Sequence, residues 1–294
     1  MGAYVGVSAI VAAIAGLPDR EWLLVWALGL VFLLGFRNRQ PVLRALYDWL
    51  PLLVILAAYD LVRSHAQSLI DRAHLEPMIW FDELIGFGTA WTVRLQDALF
   101  DAQHPHWYDY LLLIVYSSHF VTAITVGAVV YFVARARFTR YVLTFLVCSL
   151  AGFATYVIFP AIPPWMASKQ GALPHTYRAV DVIWGHVGLD FLAKVFSGDP
   201  KYSNPVGALP SLHAAYPLIL LMLFWPIAGP KVRALLVAYT AAMAFALTYF
   251  AEHYVFDIVV GYVYAVAAVW IVGRILDRRS TTHTDVANAE VPHG

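Results

Sequence analysis

The chain has 294 residues, 61% of them hydrophobic and 13% charged, which is more apolar and less charged than a soluble domain. Its formal net charge is zero, so no basic surface points to nucleic acid, and its lone Cys148 excludes an intrachain disulfide. Aromatic residues make up 15%, as in membrane proteins with aromatic belts at the bilayer interfaces.

The apolar runs predict an all-α fold: a polytopic membrane helix bundle of about eight transmembrane helices, two N-terminal spans and a six-helix core. Residues 3–17 and 22–36 are short spans that form an N-terminal hairpin within residues 1–44. They lack the basic leader of a cleavable signal peptide. The core domain takes residues 45–275, with its first span at 45–61. Residues 62–107 are too polar to cross, and their mix of apolar and charged groups, with Trp80, Trp91 and Trp107, predicts helices lying along the interface. His65, His74, His104 and His106 fall here and read as solvated or capping. The fourth span, 108–134, carries Ser117-Ser118-His119 near mid-depth. An intramembrane histidine is a functional candidate; hydrogen bonding of His119 to a neighbouring helix is the plainer reading.

The fifth span, 141–159, is preceded by Arg135, Arg137 and Arg140 and closed by a proline-rich segment. Residues 161–209 form a connection too long to be incidental, placed to cover a site from outside. The sixth span is 212–227, followed by Val232 to Val272, an apolar run of 41 residues, about twice the ~20 that cross a bilayer. It splits into a seventh span, 232–251, and an eighth, 255–275. Residues 276–294 read as a disordered tail.

Basic clusters sit between spans two and three, four and five, six and seven, and after eight. All four fall on one face, which is therefore cytoplasmic. Both termini are then cytoplasmic, and the long polar segments are outside.

Two motifs face that outer side. Glu252-His253-Tyr254-Val255-Phe256-Asp257 interrupts the apolar run between spans seven and eight. His253 and Asp257 are four apart, so on a helix they share a face. A carboxylate on one imidazole nitrogen fixes the tautomer and frees the other nitrogen for chemistry. Alone, the cluster reads equally as a capped helix end beside a lipid headgroup. The second motif, Pro210-Ser211-Leu212-His213, opens span six. Pro210 suits the first helical position, and the unpaired N–H groups after it make an anion site, with Ser211 and His213 in the first turn. Two histidines and a carboxylate around an anion-binding helix end point to phosphoryl transfer.

Pro210-Ser211-Leu212-His213 followed forty residues later by His253-x-x-x-Asp257 resembles the type-2 phosphatidic acid phosphatase superfamily. The closer resemblance is to its inositol phosphorylceramide synthase-like branch, which has Pro-Ser-Leu-His followed by His-Tyr-x-x-Asp. Phe159-Pro160-Ala161-Ile162-Pro163-Pro164-Trp165 is similar to a proline-rich segment of that branch. The Lys-x6-Arg-Pro motif of soluble and lipid-phosphatase members is absent, and Ala246 and Leu247 stand where their third motif has Ser-Arg. Phosphate charge must then be met by other cations, for which Lys169, Arg178 and Lys201 of the outer connection are candidates.

The resemblance implies an enzyme that acts on a phospholipid or polyprenyl phosphate ester through a covalent phosphohistidine. His253 would be the nucleophile oriented by Asp257, His213 the general acid and base, and Ser211 with its neighbouring N–H groups the phosphoryl cradle. The two imidazoles supply nucleophile and acid, so the chemistry calls for neither metal nor cofactor. A lipid hydroxyl as acceptor makes it a head-group transferase, and water makes it a phosphatase. A lipid-binding or transport protein is the third alternative, but it predicts helices broken at mid-bilayer. This chain gathers its polar groups at one surface.

Overall fold

The computed structural model describes residues 42–188 and 204–289. The predicted spans at 3–17 and 22–36, and Lys194 and Lys201 of the outer connection, lie outside the described residues. By its contacts the chain divides into Met1–Asp60 and Leu61–Gly294. The described part of the first unit belongs to α1, Val42–Ser64, a continuous helix through the predicted third span despite Pro51 inside it.

In the second unit a 3₁₀ segment, Ala66–Arg72, leads to α2 (Glu76–Ile85), α3 (Trp91–Leu99), α4 (Trp107–Val133) and α5 (Arg135–Ile158). Then come α6 (Pro164–Lys169), α7 (Ala179–Val187), α8 (Leu212–Phe224), α9 (Pro230–Tyr249) and α10 (Val255–Ala289). Among the described residues there is no strand, only isolated parallel bridges that join Ala161 to His74 and to Gly207. Among the described residues, three helices are long and apolar enough to cross a bilayer: α5, α9 and the Val255–Arg278 part of α10. The halves of α4, Trp107–His119 and Val121–Val133, are bent by 56° and make a fourth if they are one span.

Three boundaries differ from expectation. The basic cluster Arg135 to Arg140 is not a loop but the first turns of α5, with only Ala134 between it and α4. Arginine is a good helix former, and its stem can lie along apolar surface while its head reaches water. The sixth segment is short. Ser211 is the N-cap of α8, so Pro210 precedes the helix instead of opening it, and the helix ends at Phe224. Its 13 residues span about 20 Å, short of the ~30 Å hydrocarbon core. Finally, α10 continues past 275 to Ala289, and Asp277 pairs with Arg140 at 2.6 Å.

The short helix is central, packed against α4, α5, α9 and α10. Two glycines let it in. A Cβ on Gly261 would lie 2.3 Å from the Ser211 carbonyl oxygen, and one on Gly152 would lie 2.9 Å from the Leu212 side chain. Small residues let membrane helices approach backbone to backbone. Gly261 is six residues into α10, and Gly152 is six residues from the end of α5. At ~1.5 Å per residue, α8 therefore starts about 9 Å inside both neighbours, and whatever its first turn carries is recessed. Large apolar side chains of the long helices point outward, among them Ile114, Leu235, Val263 and Trp270. Such a surface is at home in lipid.

Gly261→Ala should destabilise the protein by about 1–3 kcal/mol, because rigid backbone meets the added methyl. Thermal unfolding in detergent measures this, and an unchanged midpoint would contradict the contact between α8 and α10.

Candidate active site

The turn between α9 and α10 carries the first histidine. α9 ends in a Schellman-type cap: the Glu252 N–H donates to the Leu247 carbonyl at 3.0 Å and the Ala251 N–H to that of Thr248 at 3.2 Å. Ala251, at φ +62°, takes the left-handed position that glycine usually fills. The interfacial helix α3 receives the end of α9. Thr92 donates to the Thr248 carbonyl, and the buried Gln96 donates to that of Tyr249 at 2.9 Å. Gln96 also exchanges two hydrogen bonds with the Tyr177 backbone, so one side chain ties α9 to the residue before Arg178.

His253 follows the cap and is 4% exposed. It precedes α10, so a shared helical face does not explain its pairing with Asp257; the turn does. Its Nδ1 lies 2.9 Å from the Ala208 carbonyl and 3.5 Å from Asp257 Oδ2. A carbonyl only accepts, so Nδ1 carries a proton and, in the neutral ring, Nε2 keeps its lone pair. Ala208 is the shorter partner and Asp257 the second. Asp257 links both motifs: Oδ2 accepts the Tyr254 N–H at 3.0 Å, and its carbonyl accepts the Ser211 N–H at 3.0 Å.

The second histidine comes from α8. Ser211 Oγ accepts the Ala214 N–H at 3.3 Å, so this hydroxyl serves as the helix cap, while its own proton remains to be donated. Tyr156 donates to the Pro210 carbonyl, and the Ala208 N–H donates to Ala161 of the proline-rich segment. His213 Nδ1 faces His253 Nε2 at 3.4 Å. Its ring stacks on Tyr116 at 5.5 Å and lies tilted against His119 at 4.0 Å, and His119 stacks on Tyr216. His119 thus lies against the neighbouring helix, beside His213. Of the other histidines, His106 and Asp109 form a capping box, and His74 stacks on Phe159.

Of the candidate cations, Arg178 lies beside the turn. It donates to both oxygens of Glu252, the residue before His253, at 2.7 and 3.2 Å. Burial alone would favour its neutral form, but the Glu252 carboxylate outweighs this and raises the guanidinium's pKa. Its guanidinium also lies over the Trp165 ring at 4.7 Å, and the exposed Lys169 sits over the same ring at 4.8 Å. Lys201 is outside the described residues.

Sequence reasoning passed over Asp82. It is fully buried on α2, and its two oxygens accept the N–H groups of Val255 and Phe256, each at 3.2 Å. The signal was present: helical spacing sets Asp82 on the same stripe as the buried Met78 and Ile79. Burial pushes its pKa up to about 7, against the two backbone hydrogen bonds, and the nearby Asp257 adds to the rise.

A family model described as the PAP2 superfamily matches residues 78–271, well over half of the chain. The chain belongs to the PAP2 superfamily. It is 35% identical over 133 residues to the phosphoinositol dihydroceramide synthase of Bacteroides thetaiotaomicron. That match covers 43% of this chain and 43% of the relative, less than half of either. No solved structure matches the chain. Both histidine motifs, and Asp82, fall inside the part matched by the PAP2 superfamily.

The titratable groups facing Asp82 are Asp257 and Tyr254. Its folded pKa of about 7 exceeds the ordinary 3.8, so the folded state binds the proton more tightly. The stability this group contributes is full below about pH 4 and is lost as pH rises to about 7. Asp82→Asn should flatten the fall in unfolding midpoint over that window; an identical pH slope in both proteins would contradict the buried carboxyl.

Proposed function

We propose that this PAP2-superfamily protein is an integral membrane lipid phosphotransferase acting on a phospholipid or polyprenyl phosphate ester, with head-group transfer to a lipid hydroxyl as its reaction. The observation that carries the reading is the facing pair of imidazoles, with one tautomer set by a carbonyl. His253 Nε2 attacks phosphorus; the N–P bond forms as the bond to the leaving oxygen breaks, and His213 gives that oxygen a proton. His213 then takes the proton of the acceptor hydroxyl, whose oxygen attacks phosphorus and breaks the N–P bond. Asp257 stabilises the charge that develops on the His253 ring.

The 3.4 Å between the two nitrogens leaves no room for a phosphoryl group between them, so phosphorus approaches from alongside. Arg178 meets the phosphate charge by exchanging part of its contact with Glu252 for phosphate oxygens, and the Ser211 proton adds a donor. Lys169, exposed and stacked over Trp165, has the smaller role. The recess of α8 within its neighbours suits a lipid substrate entering from the bilayer and excludes bulk water, which favours a lipid hydroxyl as acceptor.

The site face is the non-cytoplasmic one. The ends of α5 and α9 and the starts of α8 and α10 meet at the histidines, while Arg135, Arg137, Arg233, Arg274 and Arg278 belong to the opposite ends of those helices. This supports an outward site by the positive-inside rule.

Purified protein supplied with lipid-phosphate donors and alcohol acceptors should release a head-group-exchanged lipid; free phosphate or phosphomonoester alone would make water the acceptor. His253→Ala should abolish turnover and any covalent phospho-label. His213→Ala should recover its first step with a nitrophenyl ester donor, whose leaving group needs little protonation. Recovery in His253→Ala instead would reverse the two roles. Arg178→Ala should lower turnover at least about tenfold, on the order of 1.4 kcal/mol of transition-state stabilisation.

A further inference from the structure

Two buried carboxylates face the turn that carries His253, and the reaction above uses only Asp257. Three consecutive main-chain donors stand at the start of α10: those of Tyr254, Val255 and Phe256. Asp257 Oδ2 receives the first at 3.0 Å, and Asp82 receives the other two. Asp257 Oδ2 is also the oxygen 3.5 Å from His253 Nδ1. Its other oxygen, Oδ1, is buried without a hydrogen-bond partner among the described residues. Asp257 therefore has spare acceptor capacity next to donors that Asp82 keeps occupied.

We propose that Asp82 is a positioning residue for His253: by holding the Val255 and Phe256 N–H groups, it keeps Asp257 turned toward the imidazole. α2 is a suitable mount. It packs against α10, with the Phe81 and Phe256 rings 5.1 Å apart and Met78, Ile79 and Tyr254 in one buried cluster. With either of the two Asp82 oxygens removed, a buried donor loses its acceptor, and the spare oxygen of Asp257 is the carboxylate oxygen on the same turn that can replace it. Turning Asp257 toward that donor withdraws it from His253. Burial already opposes a charge on Asp82, so a cap needed only for folding would be served as well by a neutral acceptor.

The proposal rests on His253 as the nucleophile, and its test separates the two. Phosphoester turnover by the full chain in lipid nanodiscs is measured for Asp82→Asn, Asp257→Asn and the pair. Asp82→Asn should lower kcat about tenfold with KM nearly unchanged, and should change kcat less than about twofold in the Asp257→Asn background. Equal factors in both backgrounds, an unchanged kcat, or a rise in KM alone would overturn the positioning role. In protein labelled with 15N-histidine, Asp82→Asn should move the His253 Nδ1 resonance in the same direction as Asp257→Asn. An unmoved resonance overturns the proposal without reference to activity; a moved resonance with an inactive wild type upholds the hold of Asp82 on the His253 ring and rejects the phosphotransferase reading. Asp82→Ser keeps an acceptor oxygen without the charge and carries the same expectations where Asp82→Asn does not fold.

Discussion

The hydrogen bond from His253 Nδ1 to the Ala208 carbonyl, 2.9 Å long, is the contact on which the rest of the site depends. It joins the two motifs side chain to backbone and decides which imidazole nitrogen is free. Its acceptor is held in turn: the Ala208 N–H is bound to Ala161, and the Ala161 N–H to Val206. The proline-rich segment thus acts on the chemistry by fixing a carbonyl. Pro160 and Pro163 lack the N–H that would carry a helix through this stretch, so the donor and acceptor of Ala161 are available to the loop that precedes α8.

Depth follows from the same arrangement. The loop of residues 204–211 takes up length that a full span would use, and α8 begins late because of it. Gly261 and Gly152 accept the shortened helix between α10 and α5. His213 and His253 then meet among apolar neighbours, where charged side chains need partners. The partners are specific: Asp257 behind His253, Arg178 on Glu252, and the aromatic column of Tyr116, His119 and Tyr216 around His213.

Much of this was legible in the sequence because it rests on local chemistry. The apolar runs marked the long helices, and the spacing of Pro210 to His213 and of His253 to Asp257 marked the side chains that meet at the candidate site. Long-range polar contacts were not legible. Nothing in the chain's local pattern says that Ala208 would be the nearer partner of His253, since a backbone carbonyl leaves no mark on residue type. Arg178 was singled out as a cation, but its bidentate hold on Glu252 joins residues 74 positions apart. Asp82 falls in a segment whose mixed charges read as interfacial, although an acid on a buried helical stripe is a different thing from an acid on a wet one. Helix ends were the other weakness. A serine cap and a left-handed alanine decide where α8 begins and where α9 ends, and hydropathy is blind to both.

The central claim is that the Ala208 carbonyl sets His253 as the tautomer protonated at Nδ1, with Nε2 free. The direct measurement is the 15N spectrum of histidine-labelled protein in lipid at a pH where the ring is neutral, with His253 assigned by its absence in His253→Gln. The account predicts a protonated, pyrrole-like Nδ1 and an unprotonated, pyridine-like Nε2. A neutral ring carrying its proton on Nε2 would contradict it, because the nitrogen facing His213 would then have no lone pair to offer phosphorus.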